Sequence, residues 1–245
     1  MDEYGPSTYG DRWAEIYDVW GRDLPLATEE TVELLAELAG AGPVLELAIG
    51  TSRIALPLAA RGLDVHGVDA SEAMVARLRE KPGGAEIPVV IGDFADPPVE
   101  GVFSLVFVVF NTFFALLTQE AQVWCFANVA EHLTKDGVFV LEAFVPDVGR
   151  FDRGQRTGTS GVELDEVAFH ADLHDPVQQV VSSQHVVMRE GGLRFYPVKI
   201  RYAWPSELDL MARLAGLELR ERWGGWRREP FTASSGRHVS VYTAA

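Results

Sequence analysis

The sequence predicts an α/β fold: a doubly wound, mostly parallel seven-stranded sheet with helices on both faces, plus a small antiparallel β insertion after the fifth strand. Three observations predict it. From about residue 26 to 145, apolar runs of strand length alternate with helical periods, which is the pattern of βαβ units. The run Phe103 to Phe110 is apolar almost throughout, as a strand covered on both faces should be. From about 155 to 203 the texture changes to polar-flanked, hairpin-like segments.

Taken in order, the first core helix opens at Thr28, expected as its N-cap, with Glu29 and Glu30 complementing the helix dipole. Val32, Leu34, Leu35 and Leu38 supply its apolar face. Pro43 to Leu47 is the first strand. A glycine turn follows, then a helix ending near Arg61-Gly62 that Pro57 should kink. Val65 to Val68 leads to Asp69, and Ser71 caps a helix from Glu72 to Glu80. Ile87 to Ile91 forms the third strand and ends at Gly92-Asp93; Phe103 to Phe110 forms the fourth. Thr118 caps a helix running to Leu133, and Gly137 to Phe144 is the fifth strand. In the insertion, Val162 to Asp165, Val180 to Val187 and Leu193 to Tyr202 read as strands, with turns at Asp175-Pro176 and Gly191-Gly192. Pro205 to Leu214 is helical and Gly216 stops it. Leu217 to Trp223 and His238 to Thr243 form the last strand pair.

The 245 residues suffice for one large domain or a domain carrying an insertion. A net charge of -15 disfavours duplex nucleic acid and anionic membranes as partners. The single cysteine, Cys125, allows no internal disulfide and sits in an apolar helical pattern. Neither a secretory leader nor an apolar run long enough to span a membrane is visible, so a soluble, cytoplasmic protein is expected. No His/Cys cluster has metal-ligand spacing, and no serine sits in a nucleophile elbow, so no metal and no serine nucleophile are expected.

The sharpest local signal is Val44 to Arg53, a strand running into a glycine-bearing turn that opens a helix. Such a turn lets a ligand approach the backbone closely. Glu46 stands at the first strand end, and Asp69 stands at the second, where a carboxylate can accept hydrogen bonds from both ribose hydroxyls. Only Gly50 of a G-x-G-x-x-G fingerprint is present, so a dinucleotide pyrophosphate would be hard to seat. A Tyr-x-x-x-Lys pair is missing too, which disfavours an NAD-dependent oxidoreductase.

The run Leu45 to Ser52 resembles motif I of class I S-adenosylmethionine-dependent methyltransferases, with Ser52 in place of the last glycine. Gly67 to Met74 is similar to the second-strand motif, Gly92-Asp93-Phe94 to the third, and Phe110-Asn111-Thr112 to the motif after strand four. Leu133 to Val138 is similar to the turn into strand five. Together these motifs cover about residues 43 to 145. The resemblance implies S-adenosyl-L-methionine as cofactor. It places Glu46, Ala48, Gly50, Thr51 and Arg53 around the methionine end and Asp69, Ala70 and Met74 at the ribose. Asp93 and Phe94 would hold the adenine, with Phe110 and Asn111 alongside. Trp13, Ile16, Tyr17 and Trp20 recur at helical spacing. In similar enzymes such a helix closes over the cofactor, which makes Tyr17 a cofactor candidate.

A small-molecule acceptor is expected beyond strands four and five. Asn111, Phe114, Phe144, His170, Tyr196 and Trp226 are candidates to meet it. His170 is a candidate base, needed only where a hydroxyl must lose a proton, and Asn111 is a second catalytic candidate. Neither N-P-P-Y nor D-P-P-Y follows strand four, which argues against methylation of bases or protein amides. The insertion resembles that of sugar N-methyltransferases, where the extra sheet lines the pocket and often joins two subunits; a monomer or homodimer is expected. The expected organisation is thus a helical cap over 1–40, a cofactor-binding core over 41–150, the insertion over 151–203 and a core-completing segment over 204–245. The expected activity is methylation of a small-molecule nitrogen or oxygen. A non-catalytic cofactor-binding module is the alternative.

Overall fold

The computed structural model describes residues 3–22 and 26–245. Residues 1, 2 and 23–25 of the expected cap lie outside the described residues. Two short helices, α1 (Thr8–Trp13) and α2 (Tyr17–Arg22), precede α3 (Thr28–Ala39). The core continues through β1 (Val44–Leu47), α4 (Ala55–Ala60), β2 (Val65–Asp69), α5 (Glu72–Arg79), β3 (Val89–Ile91) and β4 (Phe103–Val108). Then come α6 (Gln119–Glu131) and β5 (Leu133–Phe144). Four strands follow: β6 (Gln155–Val162), β7 (Glu166–Asp175), β8 (Val180–Arg189) and β9 (Gly192–Arg201). The chain ends with α7 (Pro205–Leu214), β10 (Leu217–Trp223) and β11 (Arg237–Ala244).

The seven-stranded sheet has the order β10-β11-β5-β4-β1-β2-β3, and β11 runs antiparallel to both its neighbours. The other pairings are parallel, as the alternation of strands and helices requires. Period-two alternation sends each strand's side chains into two separate cores. Leu45, Val106, Phe139 and Leu141 pack with α6 and α7 on one face. Val44, Leu105, Phe107 and Val140 pack with α3 and α4 on the other. β6 to β9 form a four-stranded antiparallel meander beside this sheet. A polar anchor fastens it: Arg201 at the end of β9 donates to Glu207 of α7 and to Gln122 of α6.

Ser71 and Thr118 cap their helices as expected, accepting from the N–H groups of Met74 and Ala121. Thr28 does not. It is the first residue of α3, Ala27 takes the cap position, and the Thr28 hydroxyl accepts from Arg53 at 3.1 Å instead. Pro57 does not kink α4 either. The helix starts at Ala55, so Pro57 lies in the first turn, where its missing N–H would have no partner anyway. The insertion holds four strands rather than three. Val162 to Asp165 is the end of β6 and the turn into β7, and Leu164 is fully exposed there. Among the described residues, no helix is long and apolar enough to cross a membrane.

Candidate functional site

The chain leaves β1 in a tight turn in which Ala48, Gly50 and Ser52 all have positive φ. That alternation of handedness turns the Gly50 N–H toward β2. It donates to Asp69 Oδ2 at 2.7 Å, while the Ser71 N–H donates to Oδ1 at 2.8 Å. Asp69 is thereby held rigidly at the end of β2. Burial pushes its carboxyl up from the ordinary range, opposed by these two N–H groups, and nearby Asp11 adds to the rise. Glu46 lies on β1 beneath the turn, only 4% exposed, with Oε2 lacking any partner. Its burial raises the carboxyl pKa to about 8 against the pull of Arg53 and the Ala55 N–H, with Asp69 adding to the rise.

A cavity of about 250 Å³ opens above these strand ends. Tyr17, Ala48, Gly50, Asp69, Ala70, Met74, Asp93 and Phe94 all line it. The structure therefore brings together eight of the residues that the motifs singled out. The Ala95 N–H donates to Asp93 Oδ1, fixing that carboxylate at the rim. Other lining residues lie outside the motifs, among them Tyr4, Tyr9 and Gly10 from the first ten residues. Tyr9 is missed because α1 is only six residues long, although Tyr9, Trp13 and Tyr17 recur every four residues. Its ring stacks on Trp13 at 5.5 Å and meets Tyr17 edge-on at 6.2 Å. Burial, with Tyr17 and Tyr4 alongside, raises the Tyr9 hydroxyl well above the usual phenol range. Burial likewise raises Tyr17, with Arg53 opposing and Glu46, Asp69 and Asp18 reinforcing.

These helices are clasped to the core at two points. Ser71 Oγ donates to Asp11 Oδ1, and Thr51 Oγ1 donates to Asp18 Oδ1 at 2.6 Å. Lys81 reaches both Asp18 and the Thr51 carbonyl. Thr51 thus ties α2 to the turn and does not line the cavity, and neither does Glu46.

A second cavity, of about 410 Å³, lies beyond β4 and β5. Arg53, Phe110, Asn111, Phe144 and Trp226, all expected at cofactor or acceptor, line it with Trp20, Glu142 and Arg237. It adjoins the first cavity: Tyr17 and Thr112 line one, Trp20 and Asn111 the other. Asn111 has a left-handed backbone, and its Oδ1 accepts from the Phe144 N–H at 2.7 Å. Its amide oxygen is thus spent on holding the end of β5. Glu142 is 8% exposed and accepts from the Phe110 N–H at 2.8 Å and the Trp226 indole N–H at 2.9 Å. Sequence reasoning missed Glu142, although a lone carboxylate in the apolar run Val138 to Phe144 was the available signal.

The other candidates stand elsewhere. Phe114 is fully buried in the core, edge-on to Phe144. His170 and Tyr196 line neither cavity. His170 pairs across β7 and β8 with His185, which in turn faces Tyr196 on β9. Tyr196 packs on Trp13 at 5.0 Å, so this row seats α1 on the meander. Among the described residues, no group of three or more His, Cys, Asp or Glu side chains could hold a metal ion.

A family described as a methyltransferase domain matches residues 44–137, from β1 to the start of β5. The solved structure of the CcbJ methyltransferase from Streptomyces caelestis is 44% identical, with a TM-score of 0.93; the alignment covers 99% of this chain and 100% of that one. The cypemycin N-terminal methyltransferase of a Streptomyces species is 29% identical over 236 residues, covering 94% of this chain and 95% of the relative. CalS10, an amino pentose methyltransferase from Micromonospora echinaspora whose structure was solved with S-adenosylmethionine bound, is 22% identical with a TM-score of 0.71. That alignment covers 94% of this chain and 97% of CalS10.

Proposed function

The chain belongs to the class I S-adenosylmethionine-dependent methyltransferases, and from that premise we propose that it methylates a nitrogen or oxygen of a small natural-product-type acceptor, chiefly by alignment. The observation that carries this reading is the pair of adjoining cavities above the ends of β1, β2, β4 and β5. The first fits the cofactor's chemistry. Its polar groups are carboxylates already ordered by backbone N–H groups, and the unpartnered Oε2 of Glu46 lies buried beneath it.

In this reading Asp69 accepts from the ribose hydroxyls, Asp93 and Phe94 hold the adenine, and the Gly50 turn takes the methionine end, with Glu46 buried behind it. Tyr4, Tyr9 and Tyr17 cover the site and exclude water. When bound, the cofactor supplies a methyl group on a positively charged sulfur. Trp20, Phe110 and Phe144 would then orient the acceptor, since alignment can carry much of the acceleration in such a displacement. No histidine lines either cavity, which supports alignment over a histidine base. N-methylation in the names of a sugar N-methyltransferase and a glycopeptide N-methyltransferase of the same fold favours nitrogen.

The test combines calorimetry with a transfer assay. S-adenosylmethionine and S-adenosylhomocysteine should bind, and labelled methyl should pass to members of a panel of small amines and phenols. Binding without transfer to any acceptor, small or peptidic, would return the chain to a cofactor-binding module. Transfer only to a large protein or nucleic acid would refute the small-molecule reading.

A further inference from the structure

We propose that Glu142, inside the aromatic walls of the second cavity, is the specificity-determining residue that selects an amine acceptor over a hydroxyl one. The proposal rests on the methyl-transfer reading above and names its substrate class. A carboxylate this deeply buried ordinarily has a cationic partner. Glu142 makes no ion pair among the described residues. Its two oxygens are each held by one N–H, from Phe110 and Trp226, which fixes the charge in place without neutralising it. Each oxygen keeps a lone pair, and the residue lines the cavity.

Trp20, Phe110, Phe144 and Trp226 line that same space. Aromatic faces around a carboxylate are the physical recipe for binding an ammonium, best of all one carrying methyl groups and so weakly hydrated. The two guanidiniums at the cavity do not cancel this. Arg53 is drawn aside, donating to Thr28 and lying 5.7 Å from the Phe110 ring centroid. Arg237 stands exposed at the rim, where water screens it.

The chemistry explains what the charge would do. In N-methylation the amine lone pair forms the carbon–nitrogen bond as the carbon–sulfur bond breaks. Positive charge therefore leaves the sulfur and appears on nitrogen, and a neutral thioether remains. The new ammonium sheds its proton to solvent afterwards. A carboxylate held beside the nitrogen favours this movement of charge without accepting a proton. A hydroxyl acceptor ends neutral only by losing its proton during transfer, and no histidine lines either cavity to take it.

The test uses the protein saturated with S-adenosylhomocysteine and two probes of one shape, benzyltrimethylammonium and neopentylbenzene. Wild-type protein should bind the cation at least about ten-fold tighter than its neutral isostere. Glu142→Gln turns an amide NH2 against one of the two N–H donors, so it is paired with Trp226→Phe, which removes the indole donor. Trp226→Phe alone should keep the preference, and Glu142→Gln/Trp226→Phe should lose it while S-adenosylhomocysteine affinity holds. Equal binding of the two probes by wild-type protein overturns the proposal by itself, whatever the variants do. Methyl transfer confined to phenols or alcohols would also overturn it while leaving the methyltransferase reading intact. Absence of S-adenosylhomocysteine binding by wild-type protein would instead strike that underlying reading.

Discussion

Gly10→Ala should weaken cofactor binding without unfolding the core. Gly10 lies on α1 where that helix crosses the start of α5. A Cβ there would sit 2.4 Å from Ser71 Cβ, 2.7 Å from Ser71 Oγ and 3.1 Å from Met74 Cγ. Two carbons cannot approach that closely, so α1 must lift. Overpacking of this kind costs about 1–3 kcal/mol, which biases the lid against closure by a factor of about 5 to 150. The apparent dissociation constant for S-adenosylhomocysteine should rise within that range, because Tyr4, Tyr9 and Gly10 form one wall of the cavity. The lid's own apolar cluster, Trp13, Ala14, Met74 and Tyr196, is separate from the two cores of the main sheet. The melting temperature should therefore fall by no more than roughly 2–4 °C for each kcal/mol. Calorimetry and tryptophan fluorescence, which reports the Trp13 and Trp20 environment, read the two effects separately. Unchanged affinity in Gly10→Ala, with wild-type fluorescence, would refute the lid reasoning.

Asp69→Asn leaves either the Gly50 N–H or the Ser71 N–H facing an amide NH2, an unmade buried hydrogen bond that costs about 1–3 kcal/mol. Cofactor affinity measured by calorimetry should drop by about 5- to 150-fold, for the same range of energy. Glu46, with its carboxyl pKa raised to about 8, keeps its proton in the folded state well above the ordinary value of 4.5. Folding then takes up a proton between those pH values, so apo-protein stability falls as pH rises through that window, and Glu46→Gln should flatten the decline in thermal melts. His238 has the opposite sign. Its imidazole is pushed down to about 3 from 6.5 by burial, then by Arg222, so the unfolded chain binds the extra proton. Stability is lost as pH falls through that lower window, and His238→Gln should remove this part of the acid sensitivity, seen as a smaller fall of the urea midpoint with falling pH.

The core sheet was legible because its central strands β1 and β4 and most of β5 are buried, and α3 and α6 are long enough to show a period. The insertion was less so. β6 reads Gln155-Arg156-Thr157-Gly158-Thr159-Ser160-Gly161-Val162, with two glycines and no apolar residue before Val162. It is an edge strand held by backbone pairing to β7, and such pairing leaves little trace in composition. The same logic divides the site. Gly50, Asp69, Asp93 and Phe94 line the first cavity from short local motifs at strand ends and could be read one by one. Tyr9 and Glu142 owe their positions to contacts between distant segments. Tyr9 reaches the cavity because α1 lies over α5, and Glu142 is held by Trp226, eighty-four residues away. His170 looked like a candidate base in isolation, but a side chain paired across β7 and β8 answers to the meander's geometry and not to the strand ends.

Ser52 shows how a departure from a motif is absorbed. The position has φ of +68°, the left-handed region where a glycine is cheapest and a side chain costs about 1–2 kcal/mol. Serine offsets part of that cost through its hydroxyl, which accepts from the Leu56 N–H at 3.0 Å, one of the first-turn donors of α4 that would otherwise lack a partner. The Ser52 N–H donates to the Ile49 carbonyl at 2.9 Å, closing the turn that presents Gly50. Ser52 itself does not line the cofactor cavity. The glycine that this position can do without is therefore the one that serves only the backbone path. The Gly50 N–H is held against Asp69 by the same turn, so the motif keeps its geometry with a single glycine in place.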